Sequence, residues 1–110
     1  MQKGLNLLFI CSGNRDRSPT SQTAFKNAAY NIRTAGTSKD AVHRITIEDV
    51  NWANIIFVME EKHKNRILTE FNRPLQFKSI HVLDIPNEYK KDDSQLIQLL
   101  QEKVSAYLEG

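Results

Sequence analysis

Between Leu5 and Pro19 an apolar segment runs straight into a cysteine, a small-residue loop and a helix start: Leu5-Asn6-Leu7-Leu8-Phe9-Ile10-Cys11-Ser12-Gly13-Asn14-Arg15-Asp16-Arg17-Ser18-Pro19. Leu5 to Ile10 has the length and apolar density of a buried strand. Gly13 and Asn14 tolerate left-handed backbone angles, so a tight loop costs little there. Ser18 can cap a helix whose first helical position suits Pro19, and the residues from there through Tyr30 contain no further proline or glycine. Such a short connection points the helix N-terminus back at the loop. Free N–H groups and the positive end of the helix dipole then converge on a space that a phosphate-like dianion fills.

The rest of the chain alternates apolar runs with helical stretches, the pattern of strand–helix–strand units and a parallel sheet. A short second strand is expected over Ile32 to Ala35, with a loop from Gly36 to Asp40. Thr46-Ile47-Glu48-Asp49 has the form of a capping box opening a short helix, and Ile55 to Met59 reads as a fully apolar strand. A helix follows over Glu61 to Phe71, stopped by Asn72-Arg73-Pro74; a fourth strand spans Ser79 to Leu83. Ser94 to Leu108 carries Leu96, Ile97, Leu99, Leu100, Val104 and Leu108 near helical spacing and should lay one face on the sheet. With right-handed crossovers these elements form a three-layer α/β sandwich, a four-stranded parallel sheet of order 2-1-3-4 with helices on both faces. The 110 residues suit one domain, 1–110, burying roughly two-thirds of the unfolded surface.

Ligands of open α/β sheets bind beyond the carboxyl ends of the strands where the strand order reverses. Cys11 lies there at the end of strand one, Glu60 at the end of strand three and Asp84 at the end of strand four. Arg17, six positions after Cys11, can return its guanidinium over the loop and hold two oxygens of a phosphoryl group. Loop amides, helix dipole and Arg17 all favour a thiolate at Cys11, the reactive form of a cysteine nucleophile. Ser18 can donate its hydroxyl to that sulfur. Alone, Cys11 would read as a core thiol, but a core thiol has no need of Gly13, Asn14 and Arg17 around it.

Cys11 to Pro19 resembles the phosphate-binding loop of the low-molecular-weight protein tyrosine phosphatases: Cys-x5-Arg-Ser with the internal Gly-Asn and the following proline. Thr34-Ala35-Gly36-Thr37-Ser38 resembles the end of that family's second strand and Ile55 to Glu60 its third. Val82-Leu83-Asp84-Ile85-Pro86, followed by Tyr89 and a terminal helix, resembles the strand and loop that carry its Asp-Pro acid. The resemblance implies a flavodoxin-like fold and a metal-independent phosphomonoester hydrolase acting on a phosphorylated protein or small aryl phosphate. It further implies a phosphocysteine on Cys11, with Arg17 and loop amides binding the phosphoryl group and Asp84 as general acid. Ser12, Gly13, Asn14, Arg15, Asp16, Ser18 and Tyr89 would bind substrate. Two departures stand out. Asp16 replaces the family's common second cysteine, so its carboxylate must point outward or pair with a base such as Arg15, and Asp84-Ile85-Pro86 inserts a residue into Asp-Pro.

Composition narrows the classes. One cysteine excludes an intrachain disulfide framework, a four-cysteine zinc site and a self-contained thiol relay; an arsenate-reductase-like enzyme would need an external thiol. A net charge of +2 suits an anionic substrate but not a dedicated nucleic-acid binder. Three scattered histidines suggest no metal, and no cofactor is expected. His63, among Lys62, Lys64 and Arg66, reads as part of a solvated face, and His81 as packed within strand four. Met1 to Leu8 has too short an apolar run for a secretion signal and no segment approaches a membrane span, so a cytoplasmic location is expected. The remaining alternative is a catalytically weak module that binds phosphate or a phosphoprotein. Pattern alone says nothing of oligomeric state.

Overall fold

The computed structural model describes residues 4–108, so Met1 to Lys3, part of the stretch read as lacking a secretion signal, lie outside the described residues. The elements run β1 (Leu5–Cys11), α1 (Arg17–Ala24), β2 (Tyr30–Gly36), α2 (Ile47–Trp52), β3 (Ile55–Val58), α3 (Glu61–Glu70), α4 (Asn72–Leu75), β4 (Ser79–Val82) and α5 (Ser94–Leu108). All strand pairs are parallel and the order is β2-β1-β3-β4, as the crossover rule requires.

The alternation of side chains along β1 builds both halves of the core. Leu7, Phe9 and Cys11 face the layer of α1 and α5, where they join Ala24, Phe25, Phe57, Leu96, Leu100 and Val104. Leu8 and Ile10 face the other way, toward Val50 of α2, Ile67 of α3 and Leu75 of α4. A central parallel strand covered on both faces must be apolar throughout, and Leu7 to Ile10 are fully buried. Phe9 stacks between Phe25, at 5.8 Å, and Phe57, at 5.1 Å. Phe9→Ala is expected to cost about 3–5 kcal/mol, a large share of the stability of a domain this size, measurable as a lower denaturation midpoint at unchanged slope.

Several local expectations change. The first helix is Arg17–Ala24 rather than Ser18 to Tyr30; its N-cap is Asp16, which makes no capping side-chain bond, and Pro19 stands at the third helical position. The helix ends early because Phe25 turns into the core against Phe9 and Tyr30 enters the ladder opposite Leu5. Tertiary packing outweighs helix propensity there. The short α4 continues past Phe71 instead of Asn72-Arg73-Pro74 ending helical structure. The capping box of α2 forms as read: Thr46 Oγ1 accepts from the Asp49 amide and the Asp49 carboxylate accepts from the Thr46 amide. Among the described residues no helix is long and apolar enough to cross a membrane.

Candidate active site

The loop between β1 and α1 curls around the sulfur of Cys11, which is 3% exposed. The Asn14 amide points at Sγ from 3.2 Å and the Ser18 hydroxyl lies 3.0 Å away. Asn14 takes a left-handed φ of 55°, the conformation its residue type tolerates, and its side chain braces the ring. Its amide nitrogen donates to Ser18 Oγ at 2.8 Å, and its Oδ1 accepts from the His43 backbone at 3.2 Å. Ser18 Oγ therefore has its own proton free for the sulfur, with the Ala35 carbonyl a longer alternative at 3.3 Å. Ser18 serves the sulfur and is not the helix cap that its residue type suggests.

Gly36 makes this packing possible. A Cβ there would meet the Ser12 carbonyl oxygen at 2.5 Å and the Ala41 side chain at 2.6 Å. Gly36→Ala is expected to push the loop off the sulfur, weakening vanadate binding by an order of magnitude or more as the overpacking strain of about 1–3 kcal/mol is relieved.

Arg17, 2% exposed, is fixed from beneath. Its Nη1 donates to Glu60 Oε1 at 2.7 Å and to the Ile85 carbonyl at 2.8 Å, so the remaining guanidinium N–H groups are free of these two anchors. The hydrogen bond from Arg17 holds the Glu60 carboxyl below its ordinary range. The end of β3 thus aims the arginine.

A cavity of about 220 Å³ opens over the sulfur, lined by Cys11 to Gly13, Arg15 to Arg17, and Asn87. The predicted residues Cys11, Ser12, Gly13, Arg15, Asp16 and Arg17 come together there, with Asn14 and Ser18 behind them. Asp84 does not join them. It is exposed, has a φ of 55°, and lines an adjoining hollow with Glu60, Glu61, Lys62 and Pro86, because the connection after β4 turns sharply between Leu83 and Ile85, both buried. Tyr89 packs half-buried against the core on the α1 and α5 side and is absent from the cavity wall. Trp52 receives the Arg33 guanidinium over its ring at 4.5 Å.

Asp16 resolves its awkward charge in a way the sequence does not disclose. Its Oδ1 accepts the Lys91 amide at 3.0 Å, while Arg15 reaches the Asp40 carbonyl at 2.9 Å instead of Asp16. Thr20 Oγ1 accepts the Asp92 amide at 2.8 Å, and Thr23 donates to the Asp92 carboxylate at 2.7 Å. The start of α1 therefore grips the connection that brings Asn87 to the cavity.

His63 departs most from its reading. It is 1% exposed, its Nε2 lies 2.8 Å from Ser12 Oγ, and its Nδ1 accepts the Glu60 amide at 3.0 Å. The signal was available in the spacing: His63 stands four residues before buried Ile67 and shares its face of α3. Burial, reinforced by the Arg17 charge, lowers its pKa from 6.5 to about 4. A histidine held neutral in the fold binds fewer protons than the unfolded chain between those values, so its stabilising contribution is complete above pH 6.5 and disappears as pH falls toward 4. Urea titrations are expected to show that loss, with His63→Gln flattening it.

Solved structures that share this backbone include phosphatases. YwlE arginine phosphatase from Geobacillus stearothermophilus superposes with a TM-score of 0.69 at 20% identity, over 94% of each chain. The tyrosine phosphatase Wzb from Escherichia coli K30, solved with phosphate, gives 0.75 at 18% over 94% of this chain and 96% of that one. The low-molecular-weight protein tyrosine phosphatase of Streptococcus pyogenes gives 0.74 at 18%, over 96% and 91%. This chain has the low-molecular-weight phosphatase fold. No family model and no curated protein sequence matches it. In this phosphatase fold the Cys11 loop sits where the sheet order reverses, between β1 and β3.

Proposed function

We propose that the protein is a metal-independent phosphomonoester hydrolase working through a phosphocysteine on Cys11. One observation carries the reading: a buried sulfur met by a backbone amide and a serine hydroxyl, on an open cavity that an anchored arginine also lines. In the first step the Cys11 thiolate attacks phosphorus in line; the S–P bond forms as the P–O bond to the leaving group breaks, and that oxygen takes a proton from solvent water. In the second, water attacks phosphorus, inorganic phosphate leaves, and the electron pair returns to sulfur, where Ser18 is placed to stabilise it. Loop amides and the free N–H groups of Arg17 stabilise the equatorial oxygens throughout. The substrate is a phosphorylated protein side chain or a small aryl phosphate, either of which presents a phosphoryl dianion to the loop.

Proton transfer is the weak point. The connection after β4 brings an amide, Asn87, to the cavity, with the Asp84 carboxyl in the next hollow. An amide neither gives nor takes the proton that general acid–base catalysis moves. This observation favours a second reading, a module that captures phosphate or a phosphoryl group and turns it over slowly. Rapid acid quench after mixing with a labelled aryl phosphate, followed by peptide mapping, should recover the phosphoryl group on Cys11. Phosphate binding with no label on Cys11 would leave only the binding module standing.

A further inference from the structure

We infer that His63 is a positioning residue of the anion site, which orients the Ser12 hydroxyl so that its proton is presented to an oxyanion held against the loop. The inference rests on the phosphatase reading and adds a donor to it. A backbone N–H can only donate, so the Glu60 amide at 3.0 Å requires a lone pair on His63 Nδ1. The ring proton is therefore on Nε2, which faces Ser12 Oγ at 2.8 Å and donates to it. Ser12 Oγ accepts that bond and keeps its own hydrogen, for which no acceptor exists among the described residues, while Ser12 itself lines the cavity beside Cys11 and Arg17. Protonating Nδ1 would set two donors against each other, so the pocket that buries His63 also keeps this tautomer.

The arrangement pairs with that of Arg17. Glu60, the N-cap of α3, anchors the arginine, and His63, three residues on, anchors the serine. The junction of β3 and α3 thus anchors two of the side-chain donors that line the cavity, Arg17 and Ser12. A role limited to capping α3 would need only Nδ1, and the two nitrogens are separable by substitution. Asparagine at position 63 has an oxygen that can take the Glu60 amide but no group that reaches Ser12.

The test measures inhibition by orthovanadate and the steady-state constants for an aryl phosphate, using the full chain. His63→Asn is expected to keep the unfolding midpoint, weaken vanadate binding about tenfold and raise KM more than it lowers kcat, the size of a hydrogen bond to a charged group. Ser12→Ala, which leaves the helix cap untouched, should weaken vanadate binding equally. The double variant should be no weaker than either single one, and His63→Gln, whose amide can donate to Ser12, should restore most of the loss. Losses that add in the double variant, or a Ser12→Ala protein with wild-type vanadate affinity, would overturn the inference. A wild-type protein indifferent to vanadate would instead overturn the reading of the site, and this inference with it.

Discussion

Cys11→Ser is expected to release no phosphate from an aryl phosphate above background, a fall on the order of 10⁴-fold or more, while its unfolding midpoint stays within a few degrees of wild type. The two expectations come from different properties of one atom. A thiol gives up its proton far more readily than a serine hydroxyl, and the thiolate is much the stronger nucleophile. Packing, by contrast, barely distinguishes them. An oxygen at this position still faces the Asn14 amide and the Ser18 hydroxyl, so the loop keeps its shape. Phosphate or vanadate should therefore still bind the variant, and isothermal titration beside the activity assay separates the two effects. Residual turnover in Cys11→Ser near the wild-type rate would place the nucleophile elsewhere.

Asn87→Asp is the second large effect, and it runs in the direction of gain. A carboxyl at the residue that the connection after β4 brings to the cavity can protonate the departing oxygen and then take a proton from the attacking water. It should raise kcat for phenyl phosphate by about 10²–10⁴-fold and introduce a basic limb into the pH–rate profile. The gain should shrink for phosphate esters of acidic phenols, whose leaving groups need no proton. Asp84→Asn, acting in the adjoining hollow, should leave the profile as it is. If Asp84→Asn instead removes a basic limb already present in the wild type, Asp84 reaches the leaving group after all and Asn87 is a bystander.

The comparison of Asp84 with Asn87 marks the boundary of what pattern can convey. Both residues follow β4 within a few positions, and a carboxylate is the chemically attractive choice for an acid. Which of them reaches the sulfur depends on a turn with Leu83 and Ile85 buried on either side of an exposed Asp84, and on the grip of Asp16 and Thr20 on Lys91 and Asp92. Those contacts join residues about 70 positions apart in sequence, and no local spacing encodes them. His63 is a milder case. Its place on the same face of α3 as Ile67 was readable, but the neighbouring lysines and arginine masked it.

Sequence by itself determined the strands, their parallel order and the gathering of Cys11, Gly13, Asn14, Arg17 and Ser18 at one loop and the helix start that follows it. Each follows from local chemistry: apolar runs long enough to be buried, residues that tolerate a left-handed turn, and a helix start that exposes N–H groups. Tertiary structure alone decided what surrounds that loop: Glu60 beneath Arg17, His63 behind Ser12, Gly36 under the backbone and Asn87 above the cavity. The reason is physical. A loop's own residues set its curvature, whereas the direction of an arginine, the tautomer of a histidine and the group facing a substrate depend on partners delivered by distant segments, which only packing brings within bonding distance.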